Sequence, residues 1–308
     1  MSTSLALRRS AHAAFKSLVD YAGLFPPAAL GMNEALAEYA AAREGAHAWM
    51  LGRFIVPISR IEEMGDACRE FPLSVLVNVA LPPDADTGRW LEVAGESLTA
   101  IARQRAAGAR VEAIEVSIPP PRWQRETVDA PLGQLGALLE REALRDLPAY
   151  AELPRAALPS AAAKRARLGV KLRCGGLDTA AFPSVETVAA FIAAAEEEEL
   201  PFKATAGLHH PVRHLDAATG FTMHGFLNLL AAAAFASRCD ESTLRAIVAE
   251  EDPSTFAFED DAFAWRDLRC DIDRLRAVRK SSFVGYGSCS FKEPVDDLTA
   301  LALIPPLA

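Results

Sequence analysis

The sequence predicts an α/β protein that folds as one closed (β/α)8 barrel of the TIM type. Short β-rich runs alternate with helical patterns along all 308 residues, these runs number eight, and no glycine-rich dinucleotide-binding fingerprint follows the first. An open, doubly wound sheet is the alternative, but that fold commonly carries the fingerprint. With 51% hydrophobic and 24% charged residues the chain can bury a large core. We therefore expect a single domain spanning 1–308.

The elements follow in order from an amphipathic helix at 1–19. We expect strands at the β-rich runs 18–25, 49–58, 73–81, 111–118, 148–153, 169–174, 201–206 and 282–288. Most of these runs stop at prolines or glycines, which terminate strands. Helical patterns follow at 32–43, 87–107 and 185–199.

The connection between the seventh and eighth strands, 208–282, is far longer than a usual barrel loop. We expect it to hold extra helices that could serve as a lid over the site. Its middle, 252–267, mixes acids with four aromatic residues, and we expect a helical cap there.

Composition excludes several classes of function. The net charge of -9 argues against a nucleic-acid surface. Five cysteines without a CxxC pair indicate free thiols in a reducing, cytoplasmic location, and no apolar run is long enough to span a membrane. The charged N-terminal stretch does not read as a signal peptide, and an organellar transit peptide is the alternative. We expect a small-molecule enzyme that, like many barrels, could form a homo-oligomer.

Alternate side chains of a barrel strand face the interior, and their polarity is unusual in this chain. In the strands at 111–118, 169–174 and 201–206 one face is apolar, which directs the opposite face inward. The polar residues predicted to point inward are Arg53, Asn78, Glu115, Ser117, Glu152, Lys171, Arg173, Lys203 and Thr205. Burying ions costs several kcal/mol, so we interpret this set as a functional site. A self-neutralising ion network, or a register error of one residue, is the alternative.

The inward charges suggest which chemistry the site performs. Four bases face two acids, a positive surplus that favours a small anionic substrate. Lys171 and Lys203 lie on adjacent predicted strands, where each should disfavour the other's protonation and leave one as a neutral amine. A neutral lysine can attack a carbonyl group.

The segment 202–207, with sequence FKATAG, resembles the segment that bears the Schiff-base lysine in deoxyribose-phosphate aldolase and related class I barrel aldolases. The resemblance covers six residues and implies that Lys203 is the nucleophile. In those aldolases the nucleophile lies on the sixth strand with a second lysine after it, whereas here it lies on the seventh and Lys171 precedes it. The segments KLRCGG, FKATAGLHHP and GSCSF also resemble segments of a bacterial family, which implies no particular activity.

Together these features predict an aldolase-like carbon-carbon lyase that needs no cofactor. Lys203 would form the Schiff base and Lys171 would lower its pKa. The remaining roles are anion binding by Arg173 and Arg53, proton transfer by Glu115 or Glu152 with His209 or His210, and carbonyl orientation by Thr205 and Asn78.

Four histidines at 209, 210, 214 and 224 follow the seventh strand and support a second hypothesis. His209, His210 and His224, with Glu115 or Glu152, could bind a divalent zinc, iron or manganese ion in a metal-dependent hydrolase, isomerase or lyase. A third hypothesis is a non-catalytic barrel that binds a small anion.

Several residues near the strand ends complete the prediction. Gly175, Gly176, Gly287 and Ser288 could let backbone N-H groups approach an anion. We expect Asp20 and Tyr21 to line the barrel mouth, and Cys289 to be a small buried thiol rather than a nucleophile.

Overall fold

The chain folds as a closed barrel of eight parallel strands with flanking helices, as the sequence predicts. A computed structural model describes residues 6–78, 87–119, 128–217 and 219–306. Its strands are β1 (Val19–Tyr21), β2 (Leu51–Pro57), β3 (Leu73–Val77), β4 (Val111–Ser117), β5 (Ala149–Glu152), β6 (Gly169–Arg173), β7 (Phe202–Thr205), β8 (His214–Leu215), β9 (Thr222–Met223), β10 (Phe256–Phe258), β11 (Ala262–Trp265), β12 (Leu268–Asp271) and β13 (Phe283–Ser288).

The barrel consists of β1 to β7 in sequence order, with β13 closing the ring between β7 and β1. Each of the eight predicted runs contains one of these strands. The last residues of the third run, 79–81, lie outside the described residues.

Helices connect and cover the strands. They are α1 (Arg9–Phe15), α2 (Met32–Glu44), α3 (Ala67–Glu70), α4 (Thr87–Ala106), α5 (Asp129–Arg141), α6 (Ala161–Arg165), α7 (Val185–Glu197), α8 (Phe226–Phe235), α9 (Glu241–Ala249), α10 (Ile272–Ser281) and α11 (Lys292–Ala300). A 3-10 helix of seven residues lies at Ile58–Met64, and single 3-10 turns lie at Ala48–Met50, Thr179–Ala181, Ala236–Arg238 and Pro253–Thr255. The N-terminal helix is shorter than the predicted 1–19, of which residues 1–5 lie outside the described ranges.

The two-residue period of the strands separates two environments. On β6 and β7 the apolar side chains Val170 and Phe202 are fully buried, and the Phe202 ring packs on Phe191 of α7. Lys171 and Lys203, one residue further along and paired in register, lie on the opposite face. The outer faces of the strands therefore form the hydrophobic core with the helices, while the inner faces carry the polar set.

The long connection before β13 contains the expected extra helices, α8 and α9, but the helical cap predicted at 252–267 is wrong. Phe256, Phe258, Phe263 and Trp265 lie in the antiparallel sheet β10-β11-β12. They alternate with smaller residues at a period of two, which is the strand pattern. The sheet packs on α1, α8 and α10, and the lid function expected for this connection stays a prediction.

Helix α8 is buried along its entire length because α7, α9, α10 and β13 surround it. None of the helices in the described parts of the chain is long and apolar enough to cross a membrane.

The start of α8 is tied to the loop that follows β7. Asn228, fully buried, accepts a hydrogen bond from the Arg213 backbone N-H at 2.9 Å and donates to the carbonyl oxygens of Ile247 and Glu250, each at 2.8 Å. Gly225 lies against the same loop, where a Cβ atom would be 2.3 Å from the Pro211 carbonyl oxygen and 2.4 Å from the Val212 Cα. Backbone atoms cannot move aside as a flexible side chain does, so this position requires glycine.

We predict that Gly225→Ala lowers the free energy of unfolding by about 1–3 kcal/mol through overpacking. Gly133→Ala is the matched control, because Gly133 lies on an exposed face of α5 with no atom within 4 Å of the added methyl group. That control should raise stability by about 0.5–1 kcal/mol, the helix-propensity difference. Urea unfolding followed by circular dichroism measures both, and equal effects would contradict the close packing at Gly225.

Candidate active site

Five charged side chains from five strands meet inside the barrel. They are Asp20 on β1, Glu115 on β4, Glu152 on β5, Lys171 on β6 and Lys203 on β7, and none of them is more than 9% exposed. The inward direction predicted for the last four is confirmed by these contacts. The register explains why they meet, since Lys171 is the Cα partner of both Glu152 and Lys203.

Glu115 is the centre of this ion network. Its Oε1 contacts Lys203 Nζ, and its Oε2 lies 2.7 Å from Lys171 Nζ. Lys203 Nζ also lies 2.5 Å from Asp20 Oδ2, and Lys171 Nζ lies 3.0 Å from Glu152 Oε2. The Ser74 hydroxyl donates to Glu115 Oε1 at 2.7 Å. The two ammonium groups are therefore held apart by one shared carboxylate.

Two arginines extend the network toward solvent. Arg173 Nε lies 2.9 Å from Glu152 Oε1, and its side chain is half exposed. Arg53 donates its backbone N-H to Asp20 Oδ1 at 2.6 Å, and its guanidinium lies 4.0 Å from Asp20 and 3.5 Å from Glu112.

The positive surplus expected from the sequence is smaller among these described residues. Lys171, Lys203, Arg53 and Arg173 face three acids, Asp20, Glu115 and Glu152. Glu112 lies 3.5 Å from Arg53 but is also paired with Arg110 at 2.8 Å. Asp20 was missing from the predicted inward set.

The protonation expected for the lysine pair is wrong. Burial by itself would lower the pKa of Lys203, but the carboxylates of Asp20 and Glu115 outweigh it and raise that pKa above its usual range. The pKa of Lys171 is raised in the same way, against burial, by Glu115 and Glu152. Both shifts favour the ammonium form, because the carboxylate between the two lysines overrides their mutual repulsion.

The carboxylates show the complementary effect. Burial would raise the pKa of Glu115, but Lys171 and Lys203 bring it well below its usual range. Glu152 behaves likewise, since burial is outweighed by Lys171 and Arg173 and its pKa is lowered. Both shifts favour the ionised form of the carboxylate.

The opposite side of the interior is apolar. Ala22, Ile55 and Leu76 form a small buried cluster separate from the main core, and Phe25 packs against it. Gly287 of β13 also faces inward, because a Cβ there would lie 2.9 Å from Ile55 Cδ1 and 3.5 Å from Thr205 Oγ1. Most of the charged side chains therefore lie on β4 to β7, whereas Ile55 of β2 and Leu76 of β3 form an apolar patch of the interior.

A cavity of about 270 Å³ opens at the ends of β5 and β6, between Glu152 of the network and α7. Ser117, Glu152, Arg155 and Arg173 supply its polar lining, and Leu153 and Phe191 are among its apolar lining residues. Such a volume suits a ligand of a few carbon atoms.

The remaining predicted binding residues have varied surroundings. Thr205 is partly exposed next to Gly287, and Asn78 is exposed beyond the end of β3. Ser288 is buried, and its hydroxyl accepts from the Ser290 N-H at 3.3 Å. Packing accounts for Gly175 and Gly176, since a Cβ would lie 3.0 Å from Gly207 Cα at the first and 2.5 Å from Ala181 Cβ at the second.

The histidines after β7 have separate partners. His209 Nδ1 lies 2.8 Å from Glu293 Oε2, and His210 Nδ1 lies 2.5 Å from Asp297 Oδ2, both carboxylates on α11. His224 is buried, and its Nε2 lies 2.8 Å from the Pro183 carbonyl oxygen.

The set proposed for a metal, His209, His210 and His224 with Glu115 or Glu152, is thus divided among other partners. Within the described ranges no three His, Cys, Asp or Glu side chains are grouped so as to hold a metal ion. The metal hypothesis stays a prediction with no geometric support added.

Sequence reasoning missed several residues of the site. Asp20 was expected only to line the mouth, and Tyr21 was expected beside it. Tyr21 instead points outward and donates to Glu38 Oε2 on α2 at 2.6 Å. Ser74 could have been found, because it shares the strand parity of Asn78. The contacts of Glu293 and Asp297 with the histidines could not be predicted, since two acids four residues apart on a helix are ordinarily solvated.

Comparison of the chain with protein-family models and with curated proteins finds no match. The function is therefore inferred from the geometry of the site.

We predict that Lys171→Met destabilises the fold by about 3–5 kcal/mol, because it leaves Glu115 and Glu152 buried with less compensation. The double variant Lys171→Met/Glu152→Gln should be less destabilised than the single variant, since it removes the unpaired charge as well. Lys164→Met is the control, because the Lys164 ion pair with Glu199 is exposed. Urea unfolding measures all three, and a Lys171 effect no larger than the Lys164 effect would contradict the network.

The dependence of stability on pH tests whether loss of the Lys171 charge causes the destabilisation of Lys171→Met. The raised pKa of Lys171 means that its stabilisation is present below the unfolded value of 10.5 and is lost as pH rises through the folded value. The stability difference between wild type and Lys171→Met should therefore be constant from about pH 6 to about pH 10 and shrink above that range.

Proposed function

We propose that this barrel is a carbon-carbon lyase of the aldolase kind, which binds a small carbonyl compound as a Schiff base on Lys203. The observation that carries the proposal is the position of Lys203 Nζ, 2.5 Å from Asp20 Oδ2 and in contact with Glu115 Oε1 inside the barrel. Schiff-base formation needs an amine, an acceptor for its proton and a donor for the departing water around one carbon atom. Lys203, Asp20 and Glu115 supply these three groups.

The protonated resting state of Lys203 is compatible with this role. A short charge-assisted hydrogen bond gives the ammonium proton a direct path to Asp20 when a carbonyl group enters and displaces the ion pair. The neutral amine then adds to the carbonyl carbon. Lys171 therefore has a different role from the one expected, because it fixes and ionises Glu115 at 2.7 Å rather than lowering the pKa of Lys203.

The bond changes follow from these positions. The lysine nitrogen forms a bond to the carbonyl carbon, and the oxygen leaves as water with protons relayed through Glu115. The resulting iminium ion accepts the electron pair of the neighbouring carbon-carbon bond, which breaks as a base removes the proton of the β-hydroxyl group. An aldehyde departs, the enamine is protonated, and water releases the second product. Glu152 suits the role of that base, because it lies beyond Lys171 at the cavity.

The surroundings define the substrate class. Arg173 and Arg155 line the cavity beside Glu152 and suit an anionic group such as a carboxylate or phosphate. The apolar patch of Ile55 and Leu76 suits the carbon skeleton. We therefore expect a small oxo-acid or a phosphorylated carbonyl compound.

The proposal predicts that reduction with borohydride in the presence of a carbonyl substrate attaches it to Lys203. The panel comprises pyruvate, glyoxylate, acetaldehyde and glyceraldehyde 3-phosphate, read by intact mass and then by peptide mapping. We expect one equivalent on Lys203 with at least one anionic member. No label on Lys203 across the panel, or equal label on the exposed Lys164, overturns the proposal.

Two variants complete this experiment. Lys203→Arg keeps the positive charge between Asp20 and Glu115, so it should fold and take no label. Saturable stabilisation of the wild-type protein by an anionic member without any label would favour a barrel that only binds a small anion.

We further predict that Arg173 selects the anionic group. Arg173→Ala should raise the glyoxylate concentration for half-maximal labelling about tenfold, the equivalent of one charged hydrogen bond of about 1.5 kcal/mol. Acetaldehyde is the internal control, because it lacks the carboxylate and its labelling should be unchanged. An equal loss for both compounds would contradict anion binding by Arg173.

A further inference from the structure

A cysteine, a histidine and a glutamate lie together at the rim of the barrel, apart from the ion network. Cys289 Sγ lies 3.9 Å from His209 Nε2 and 4.0 Å from His209 Nδ1. His209 Nδ1 lies 2.8 Å from Glu293 Oε2 on α11. Thiol, imidazole and carboxylate are the groups of a nucleophile, its base and the residue that orients the base. The thiol is almost equally far from both ring nitrogens, so Nε2, which does not contact Glu293, is the nitrogen available to accept its proton.

The fold brings these residues together from three separate elements. Cys289 directly follows the last residue of β13, and His209 follows β7, the strand paired with β13 in the barrel. Between β7 and His209, both Ala206 and Gly207 adopt left-handed backbone conformations, with φ of 60° and 68°. A non-glycine residue held in this region costs of order 1 kcal/mol, and such strain clusters at functional sites.

The surroundings keep Cys289 as a thiol until a base acts on it. Cys289 is 8% exposed, and burial raises its pKa, with Glu293 and Glu38 acting in the same direction. The backbone N-H groups of Ala28 and of Cys289 itself act the other way, so a thiolate would find donors in place. His209, 15% exposed in its side chain, is the base within reach.

We propose that Cys289, His209 and Glu293 form a second reactive site, in which the thiol adds reversibly to the carbonyl carbon of a small aldehyde. The Sγ proton passes to His209, sulfur forms a bond to the carbonyl carbon, and the π electron pair moves to oxygen. The oxygen then takes the proton from His209, giving a hemithioacetal. The step consumes no oxidant or reductant and is independent of Lys203.

The other four cysteines provide internal controls for the reactivity of this thiol. All five are free, with Cys174 and Cys270 buried and Cys68 and Cys239 partly exposed. Under limiting iodoacetamide near neutral pH, with alkylation mapped by peptide mass, Cys289 should react at least about tenfold faster than Cys174 and Cys270. It should also react faster than Cys68, although it is less exposed. A rate for Cys289 equal to that of the buried thiols overturns the proposal.

Variants of the two supporting residues test their roles. His209→Gln should slow alkylation of Cys289 about tenfold or more, because the base is lost. Glu293→Gln should slow it about two- to fivefold, through loss of the orienting carboxylate. The matched control is Asp297→Asn on the same helix, which contacts His210 instead. An unchanged Cys289 rate in His209→Gln, or an equal change at Cys68, counts against the site.

The carbonyl adduct is tested with carbon-13 glyoxylate as the probe. We expect a carbon-13 resonance of a tetrahedral carbon bonded to sulfur in the wild-type protein and in Lys203→Arg, and none in Cys289→Ala. Its persistence in Lys203→Arg separates this site from the Schiff base. Absence of the resonance from the wild type, or its persistence in Cys289→Ala, overturns thiol addition and leaves the Lys203 proposal untouched.

Discussion

The carboxylate of Glu115 is the constraint on which the barrel interior depends. It is fully buried, yet it contacts the ammonium groups of Lys171 and Lys203 and accepts from the Ser74 hydroxyl. Without it, two cations from adjacent strands would face each other in a medium of low dielectric constant, which strongly disfavours charge. Glu115 lies on β4, and its two ion pairs connect this strand across the interior to β6 and β7. The arrangement is difficult to explain by stability alone, since well-packed apolar residues of similar volume would serve at least as well.

Charged and apolar residues of the barrel interior come mostly from different parts of the chain. Strands β4 to β7 supply the carboxylates and lysines, whereas β2 and β3 contribute Ile55 and Leu76. Asp20 is the exception, because it lies on β1 and reaches Lys203 across the glycine positions of β13. Gly285 and Gly287 are the register partners of Lys203 and Thr205, and neither has a side chain to fill that space. The absence of side chains at Gly285 and Gly287 therefore leaves room for charges from β1 and β7 to meet.

The sequence predicted the parts of this structure that depend on local periodicity. All eight strands follow from β-rich runs that stop at prolines or glycines, and the inward direction of Glu115, Glu152, Lys171 and Lys203 follows from alternation at a period of two. The protonation of the lysines did not follow, because it depends on which carboxylates reach across the barrel, a distance that alternation does not encode. Asp20 illustrates the problem, since its polarity was visible but its partner was not. The partners of His209 and His210 were equally hidden, because α11 is far from them in the chain.

The two reactive groups that we propose are linked through neighbouring strands of the barrel, β7 and β13. Asp20, the partner of Lys203 Nζ, is in register with Gly287, and Cys289 follows two residues later on the same strand direction. Two residues of a strand rise about 7 Å, so the thiol lies roughly one layer of side chains above the ammonium group. Gly287 is the interior position of β13 between them and presents no side chain.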